Sequence, residues 1–251
     1  MGFRLLDMPP CSAFDNMAID EAILQQVSIG ASPPTLRLYG WKPSAVSIGY
    51  FQSIEDEVDL DACLEKGFDV VRRITGGGAV FHDDELTYSI IIPEASGVVS
   101  EDIMGSYAQI CGAIVDALGS FGLEARFKPV NDITVDGKKI SGNAQTRRCG
   151  CVLQHGTLIL GLDADEMFSV LKVPDEKIRD KMIATVKDRV TSLRLEYGGF
   201  SDASVRAALV EGFEGSLGIS TAPGELTLAE KELAGELSES KYSTRKWNFK
   251  R

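Results

Sequence analysis

Long apolar runs are missing from this 251-residue sequence. No stretch approaches the roughly 20 uninterrupted apolar residues that a membrane-spanning helix needs. The first ten residues also lack the apolar core of a secretory signal. The sequence therefore predicts a cytoplasmic protein with no membrane association.

Basic residues and paired cysteines are scarce as well. The 26 lysines and arginines against 37 aspartates and glutamates give a formal charge of −11. This balance argues against nucleic acid as a partner, because its phosphates demand a basic face. Any anionic ligand must be held by a local basic cluster. Five cysteines are an odd number in a long chain, so we expect reduced thiols and no disulfide framework.

The residues that are present, 44% hydrophobic and 25% charged, are typical of a globular protein. Their spacing predicts helices over 16–27 and 103–121, strands mostly in hairpin-like runs, and a helical C-terminal part from about residue 164. Because strands and helices do not alternate regularly, the pattern predicts an α+β fold. We expect a single domain over residues 1–251.

Residues 72–83, RRITGGGAVFHD, contain two arginines and three consecutive glycines. Glycines after a strand let the backbone approach a ligand closely, and arginines can bind carboxylate or phosphate oxygens through a fork of N–H groups. The alternative is a tight bend with solvated arginines. The spacing matches neither the P-loop nor the dinucleotide-binding pattern.

Residues 131–148, NDITVDGKKISGNAQTRR, combine a hairpin turn with two lysines. Six basic residues against two aspartates between residues 126 and 148 favour an anion site in a chain that is acidic overall. Two solvated turn lysines are the alternative. Strand alternation predicts that Lys139 faces the site and Lys138 the solvent.

The two histidines of the sequence, His82 and His155, lie in distinctive segments. Each is either a pocket residue or a buried histidine satisfied by the backbone. Cys149 and Cys151 precede His155, but a C-x-C spacing without a second cysteine pair is weak evidence for zinc, so no metal site is predicted. We expect both cysteines to pack and not to react.

Together these segments resemble the lipoate–protein ligase A family, within the biotin/lipoate ligase catalytic domain superfamily. The resemblance rests on residues 72–83 and 131–148, on LTYSIIIP (86–93), on LQHGTLIL (153–160) and on KYSTRKWNFKR (241–251). It implies a mixed-sheet α/β catalytic domain of the biotin/lipoate ligase type. The longer ligases continue into a small accessory domain that is absent here, so we expect that a separate small accessory subunit could replace it.

The resemblance also implies the residues of the site. Lys139 would be the catalytic lysine, bridging the acyl carboxylate and the α-phosphate, with Asn131 and Asp132 as additional site residues. The residues implied to bind ATP are Arg73, Gly78, Ala79, Val80, Phe81 and Lys139. Those implied to bind lipoate are Arg73, Gly77, His82, Lys139 and His155.

The expected activity is that of a lipoate–protein ligase. ATP and Mg²⁺ would convert lipoate or octanoate to an acyl-adenylate, which a lysine of a lipoyl carrier protein would attack. The carrier would be a lipoyl domain or a glycine-cleavage H protein.

Two alternatives belong to other classes. An octanoyltransferase would take its acyl group from an acyl carrier protein through a cysteine thioester, but residues 124–132, where related transferases carry the nucleophile, contain no cysteine. A non-catalytic ligand-binding relative is the second alternative. The intact Arg73, glycines 76–78 and Lys139 argue against it.

Overall fold

A computed structural model describes residues 2–173 and 176–250 of the chain. Its strands, in chain order, are β1 (Gly2–Asp7), β2 (Thr35–Tyr39), β3 (Ala45–Ile48), β4 (Asp69–Arg72), β5 (Val80–His82), β6 (Glu85–Pro93), β7 (Ala125–Lys128), β8 (Asp132–Val135), β9 (Lys138–Arg148), β10 (Cys151–Ile159) and β11 (Ser220–Pro223). Its helices are α1 (Ala13–Ser28), α2 (Ile54–Glu57), α3 (Leu60–Lys66), α4 (Ile103–Gly119), α5 (Ala164–Val170), α6 (Glu176–Arg189), α7 (Leu193–Glu196), α8 (Asp202–Leu217), α9 (Leu228–Leu237) and α10 (Arg245–Asn248).

The strands form two mixed sheets. The larger sheet has the order β11-β1-β2-β6-β10-β9-β8-β7, and the smaller has the order β4-β3-β5. In the larger sheet β1 runs parallel to β2 and β11, whereas the remaining neighbours are antiparallel. In the smaller sheet β3 is parallel to β4 and antiparallel to β5. These mixed sheets with interspersed helices confirm the predicted α+β fold class.

Helices cover both faces of the larger sheet. Successive residues of a strand point to opposite faces, so Ile90 and Ile92 pack with α4 and α8 while Ile91 packs with α1. The smaller sheet has a separate apolar cluster, which includes Val46 and Ile48. These apolar contacts fix the positions of the strands in both sheets.

The helix starts follow local hydrogen-bonding rules. At the start of α9, the Thr227 hydroxyl accepts from the Glu230 N–H at 3.2 Å, and the Glu230 carboxylate accepts from the Thr227 N–H at 2.7 Å. The same carboxylate pairs with buried Arg4 at 2.5 Å, which ties α9 to β1. None of the helices within residues 2–173 and 176–250 is long and apolar enough to cross a membrane.

Candidate active site

A cavity of about 310 Å³ opens between the smaller sheet, strands β9 and β10, and helices α5 and α6. This volume is at the lower end of the roughly 300–1,000 Å³ typical of small-molecule sites. The apolar part of its wall includes Met17, Tyr39, Trp41, Phe81, Leu162 and Met167. The cavity suits one small ligand with an apolar body and a few polar contacts.

The structure brings most of the predicted site residues to this cavity. The predicted residues that line it are Arg73, Gly77, Gly78, Ala79, Val80, Phe81, His82, Asn131, Lys139 and His155. The remaining one, Asp132, is ion-paired with Lys139. Their individual ligand-binding roles stay predictions.

Lys139 lies at the start of β9, where that strand pairs with β8. Its Nζ is 2.7 Å from the Asp132 Oδ1. A Cβ at Gly142 would lie 2.8 Å from the same Nζ, so a glycine there leaves room for the lysine. Lys138 is exposed and does not line the cavity, as strand alternation predicts.

The three glycines form the turn that connects β4 to β5. Gly77 has φ +98°, in the left-handed region that favours glycine. A Cβ at Gly49 would lie only 2.0 Å from the Gly77 carbonyl oxygen, so Gly49 is required for this close backbone contact. The turn is therefore packed directly against the end of β3.

Arg73 holds this turn from inside the protein. Its Nη2 donates to the carbonyls of Gly76 and Gly78, each at 2.9 Å, and its Nη1 donates to the Ser47 carbonyl and hydroxyl, each at 2.8 Å. Its Nε donates to the Thr75 hydroxyl at 3.4 Å. Burial without a carboxylate partner lowers the pKa of Arg73 to about 10.

His82 lies in a chain of polar contacts along the cavity wall. Its Nε2 is 2.6 Å from the Ser47 hydroxyl, and its Nδ1 is 2.8 Å from the Glu85 carboxylate. Trp41 stacks on the imidazole, with ring centroids 3.8 Å apart. Its indole N–H donates to the Thr87 hydroxyl, which in turn donates to Glu85. The predicted alternative of backbone satisfaction is not observed, because both ring nitrogens of His82 bind side chains.

His155 has an equivalent arrangement on β10. Its Nε2 is 2.8 Å from the Thr75 hydroxyl, and its Nδ1 is 3.4 Å from the Asp20 carboxylate. Burial lowers the pKa of His155 even though the Asp20 charge opposes that shift. His155 is therefore held in its neutral form at neutral pH.

Sequence analysis missed the buried acid behind His155. Asp20 also binds Arg37 at 2.7 Å, the Ser89 hydroxyl at 2.8 Å and the Tyr39 hydroxyl at 3.2 Å. Burial by itself would raise the pKa of Asp20, but the Arg37 charge and the hydrogen bonds lower it overall. A signal was available, because Asp20 lies on the apolar face of α1, three residues after Met17 and four before Leu24.

None of the five cysteines, all within the described part of the chain, lines the cavity. Cys63, Cys111 and Cys151 are buried, and burial raises the pKa of each thiol, to about 11 for Cys63 and about 12 for Cys111. Burial also raises the pKa of Cys11. Cys149 is exposed between β9 and β10 with φ 52°, at the opposite end of β9 from Lys139. At about 3.3 Å per strand residue, ten residues separate them by roughly 30 Å.

Known proteins resemble this chain over nearly its whole length. The model of the lipoyl protein ligase A/B catalytic domain family matches residues 12–214. The chain belongs to this family. It is 39% identical to the octanoyltransferase LipM of Kyrpidia tusciae and 35% identical to that of Bacillus subtilis, with 99% of this chain and 98–99% of each relative covered. The alignment with the first runs over 272 positions, so that relative has at least 21 residues without a counterpart among these 251.

Solved structures of the family have the same fold. A bipartite lipoate protein ligase of Thermoplasma acidophilum, studied with its E2 lipoyl domain, superposes with a TM-score of 0.90 and 38% identity, covering 99% of this chain and 96% of that one. A lipoate–protein ligase A bound with ATP gives a TM-score of 0.85 and 35% identity, with 99% of both chains covered. The predicted family and catalytic fold are confirmed.

The prediction of an ATP-dependent lipoate–protein ligase is wrong. The curated relatives matched over at least 98% of their length are named octanoyltransferases, which agrees with the transferase activity of the first alternative. The missing cysteine in residues 124–132 had argued for the ligase. That argument fails chemically, because a thioester is already an activated acyl group and an amine can attack it without a protein nucleophile. ATP and Mg²⁺ were expected only because adenylation was expected, so this correction removes the reason to expect them.

Proposed function

We propose that this chain transfers an octanoyl group from the thioester of an acyl carrier protein to a lysine of a lipoyl carrier protein. The observation that carries the proposal is full-length similarity, at 33–39% identity, to relatives named octanoyltransferase LipM. The cavity supports it, because an apolar compartment that reaches a lysine suits an acyl chain with a reactive carbonyl group.

In this proposal the acyl chain lies among the aromatic and aliphatic side chains of the cavity, including Trp41, Phe81 and Met167. Its carbonyl group lies beside Lys139. The Lys139 ammonium would then stabilise the negative oxygen of the tetrahedral intermediate, because a positive charge placed beside a developing oxyanion lowers the energy of the transition state.

We infer that the transfer is direct. A protein nucleophile must sit over the acyl carbon, yet none of the five cysteines lines the cavity and the exposed Cys149 is at the far end of β9 from Lys139. The amine of the acceptor lysine would attack the thioester carbonyl, the carbon–sulfur bond would break, and the proton of the amine would pass to the departing thiolate. The products are an amide and a free thiol, so neither ATP nor Mg²⁺ enters the balance.

The acceptor in this proposal is a lipoyl domain or a glycine-cleavage H protein. The Thermoplasma relative described with an E2 lipoyl domain supports this choice of carrier class. An additional accessory subunit stays a prediction. The C-terminal segment is folded onto the protein, where Arg72 donates to the carbonyls of Trp247, Asn248 and Lys250.

The test of the function is a transfer assay without nucleotide. Octanoyl-loaded acyl carrier protein, a lipoyl domain and the purified chain are mixed, and mass spectrometry measures addition of one octanoyl group to the acceptor lysine. The proposal predicts octanoylation that needs the enzyme and no ATP. An unmodified acceptor in this mixture, together with modification from free octanoate and ATP, would contradict it.

Direct transfer has its own signature. Cys149→Ser combined with Cys151→Ser should retain at least about a third of the wild-type rate, because neither side chain touches the reacting atoms in this proposal. Double-reciprocal plots of the initial rate against donor concentration, at several acceptor concentrations, should give intersecting lines, as expected when both substrates bind before chemistry. Parallel lines and an octanoyl thioester trapped on the enzyme would establish a covalent route instead.

A further inference from the structure

Both histidines of the site are joined to one arginine through a hydroxyl group. The first chain runs from Glu85 through His82 to the Ser47 hydroxyl, with contacts of 2.8 Å and 2.6 Å. Arg73 Nη1 donates to that hydroxyl at 2.8 Å. Because the Ser47 oxygen accepts from Arg73, its own proton is available to donate to His82.

The second chain repeats this order on the other side of the arginine. It runs from Asp20 through His155 to the Thr75 hydroxyl, with contacts of 3.4 Å and 2.8 Å. Arg73 Nε donates to that hydroxyl at 3.4 Å. An arginine can only donate, so each hydroxyl oxygen accepts from Arg73. An ionised carboxylate can only accept, so each neutral histidine carries its proton on Nδ1 and its Nε2 accepts the proton of the hydroxyl.

Arg73 has no N–H group left for a ligand. A guanidinium group carries five N–H donors, and the five bonds of Arg73 go to Thr75, to the carbonyl and hydroxyl of Ser47, and to the carbonyls of Gly76 and Gly78. The side chain is 4% exposed. These contacts differ from the ATP and lipoate contacts that the family resemblance implies for Arg73.

We propose that Arg73 is a positioning residue that fixes both histidines as Nδ1–H tautomers and holds the triple-glycine turn, without itself contacting the acyl substrate. Each carboxylate accepts from an Nδ1–H, and Arg73 holds the oxygen of Ser47 or Thr75 in the orientation that lets its hydroxyl donate to Nε2. The cavity wall is thereby fixed before any ligand enters.

The first test is the tautomer of each histidine, measured by ¹⁵N-edited NMR of the full chain without substrate. The wild type should show the Nδ1–H form for His82 and His155. Ser47→Ala should alter the ring-nitrogen signals of His82 alone, and Thr75→Val those of His155 alone. Nε2–H tautomers in the wild type, or a change at the wrong histidine, would overturn the proposal.

Arginine variants test whether Arg73 orients both hydrogen-bond chains. Arg73→Lys keeps the charge but cannot donate in five fixed directions, so it should disturb both histidines. Arg72→Lys is the matched control, because Arg72 is equally buried but its side chain donates only to backbone carbonyls. It should leave both histidine tautomers unchanged. If Arg73→Lys leaves both histidines as in the wild type, the arginine does not fix them.

A rate measurement adds a consequence that rests on the proposed function. Displacement of a site wall by about 1 Å can reduce a rate roughly a hundredfold, so Arg73→Lys should reduce octanoyl transfer at least about tenfold. A wild-type rate together with altered tautomers would contradict the positioning role. An inactive wild type with the predicted tautomers would instead contradict the proposed function and leave the assignment of Arg73 intact.

Discussion

Replacement of Lys139 by alanine separates the chemistry of the site from its stability. The Lys139 side chain is 38% exposed and pairs with Asp132, which is 34% exposed. Ion pairs this accessible to solvent contribute at most about 1 kcal/mol to stability. For a chain of this size that is a loss of roughly 2–4 °C in melting temperature.

The expected effect of Lys139→Ala on catalysis is much larger. Deletion of one positioned group that stabilises a developing oxyanion costs about 2.7–4 kcal/mol, or a factor of about 100 to 1,000 in rate. We therefore expect at least a hundredfold loss of octanoyl transfer with a nearly unchanged melting temperature.

Lys138→Ala is the internal control. It removes the same side chain from the adjacent, exposed position at the hairpin turn, so the rate should change less than about threefold. Transfer of octanoate from carrier to lipoyl domain and thermal melts are measured for both variants. Equal rates for the two variants, or an active Lys139→Ala enzyme, would show that the proposed role of Lys139 is wrong.

Three further predictions concern the buried groups around the site. Asp20→Ala leaves the buried Arg37 without its carboxylate, so the free energy of unfolding measured with urea should fall by about 3–5 kcal/mol. A fall of less than about 1 kcal/mol would show that this ion pair does not stabilise the fold as described. His155 has a lowered pKa, so the unfolded chain takes up its proton first as the pH falls below 6.5, and the free energy of unfolding should decrease there. The decrease should be smaller in His155→Asn, and equal pH dependence of the two proteins would refute this assignment. Gly156→Ala would place a Cβ 2.0 Å from the Asn143 Oδ1, so thermal unfolding should show a loss of about 1–3 kcal/mol. Wild-type stability of this variant would show that the Asn143 side chain can move aside.

Local patterns predicted much of the fold. The helices over 16–27 and 103–121 and the hairpin turn before Lys139 each depend on neighbouring residues, and the structure contains all three. The parallel pairing of β1 with β11 could not be predicted in the same way, because those strands are more than 200 residues apart in sequence. Long-range pairing of this kind depends on tertiary packing and leaves no local periodicity.

The site was predicted unevenly for a similar reason. Arg73, Lys139 and both histidines stood out by residue type and by neighbouring glycines. Ser47, Thr75 and Glu85 lie in no distinctive motif of the sequence. Only the fold brings each of them within 3 Å of a histidine ring nitrogen. The reaction was assigned wrongly because the same cavity and lysine suit an acyl-adenylate and a thioester, and the sequence of one chain does not separate the two acyl donors.

The most direct measurement of the central claim compares two acyl donors on the same enzyme and the same lipoyl domain. One reaction contains octanoyl-loaded acyl carrier protein without nucleotide, and the other contains free octanoate with ATP and Mg²⁺. Mass spectrometry then counts octanoylated acceptor lysines over time. Our account predicts modification in the first reaction and none above background in the second. Modification that occurs only in the second reaction would contradict it.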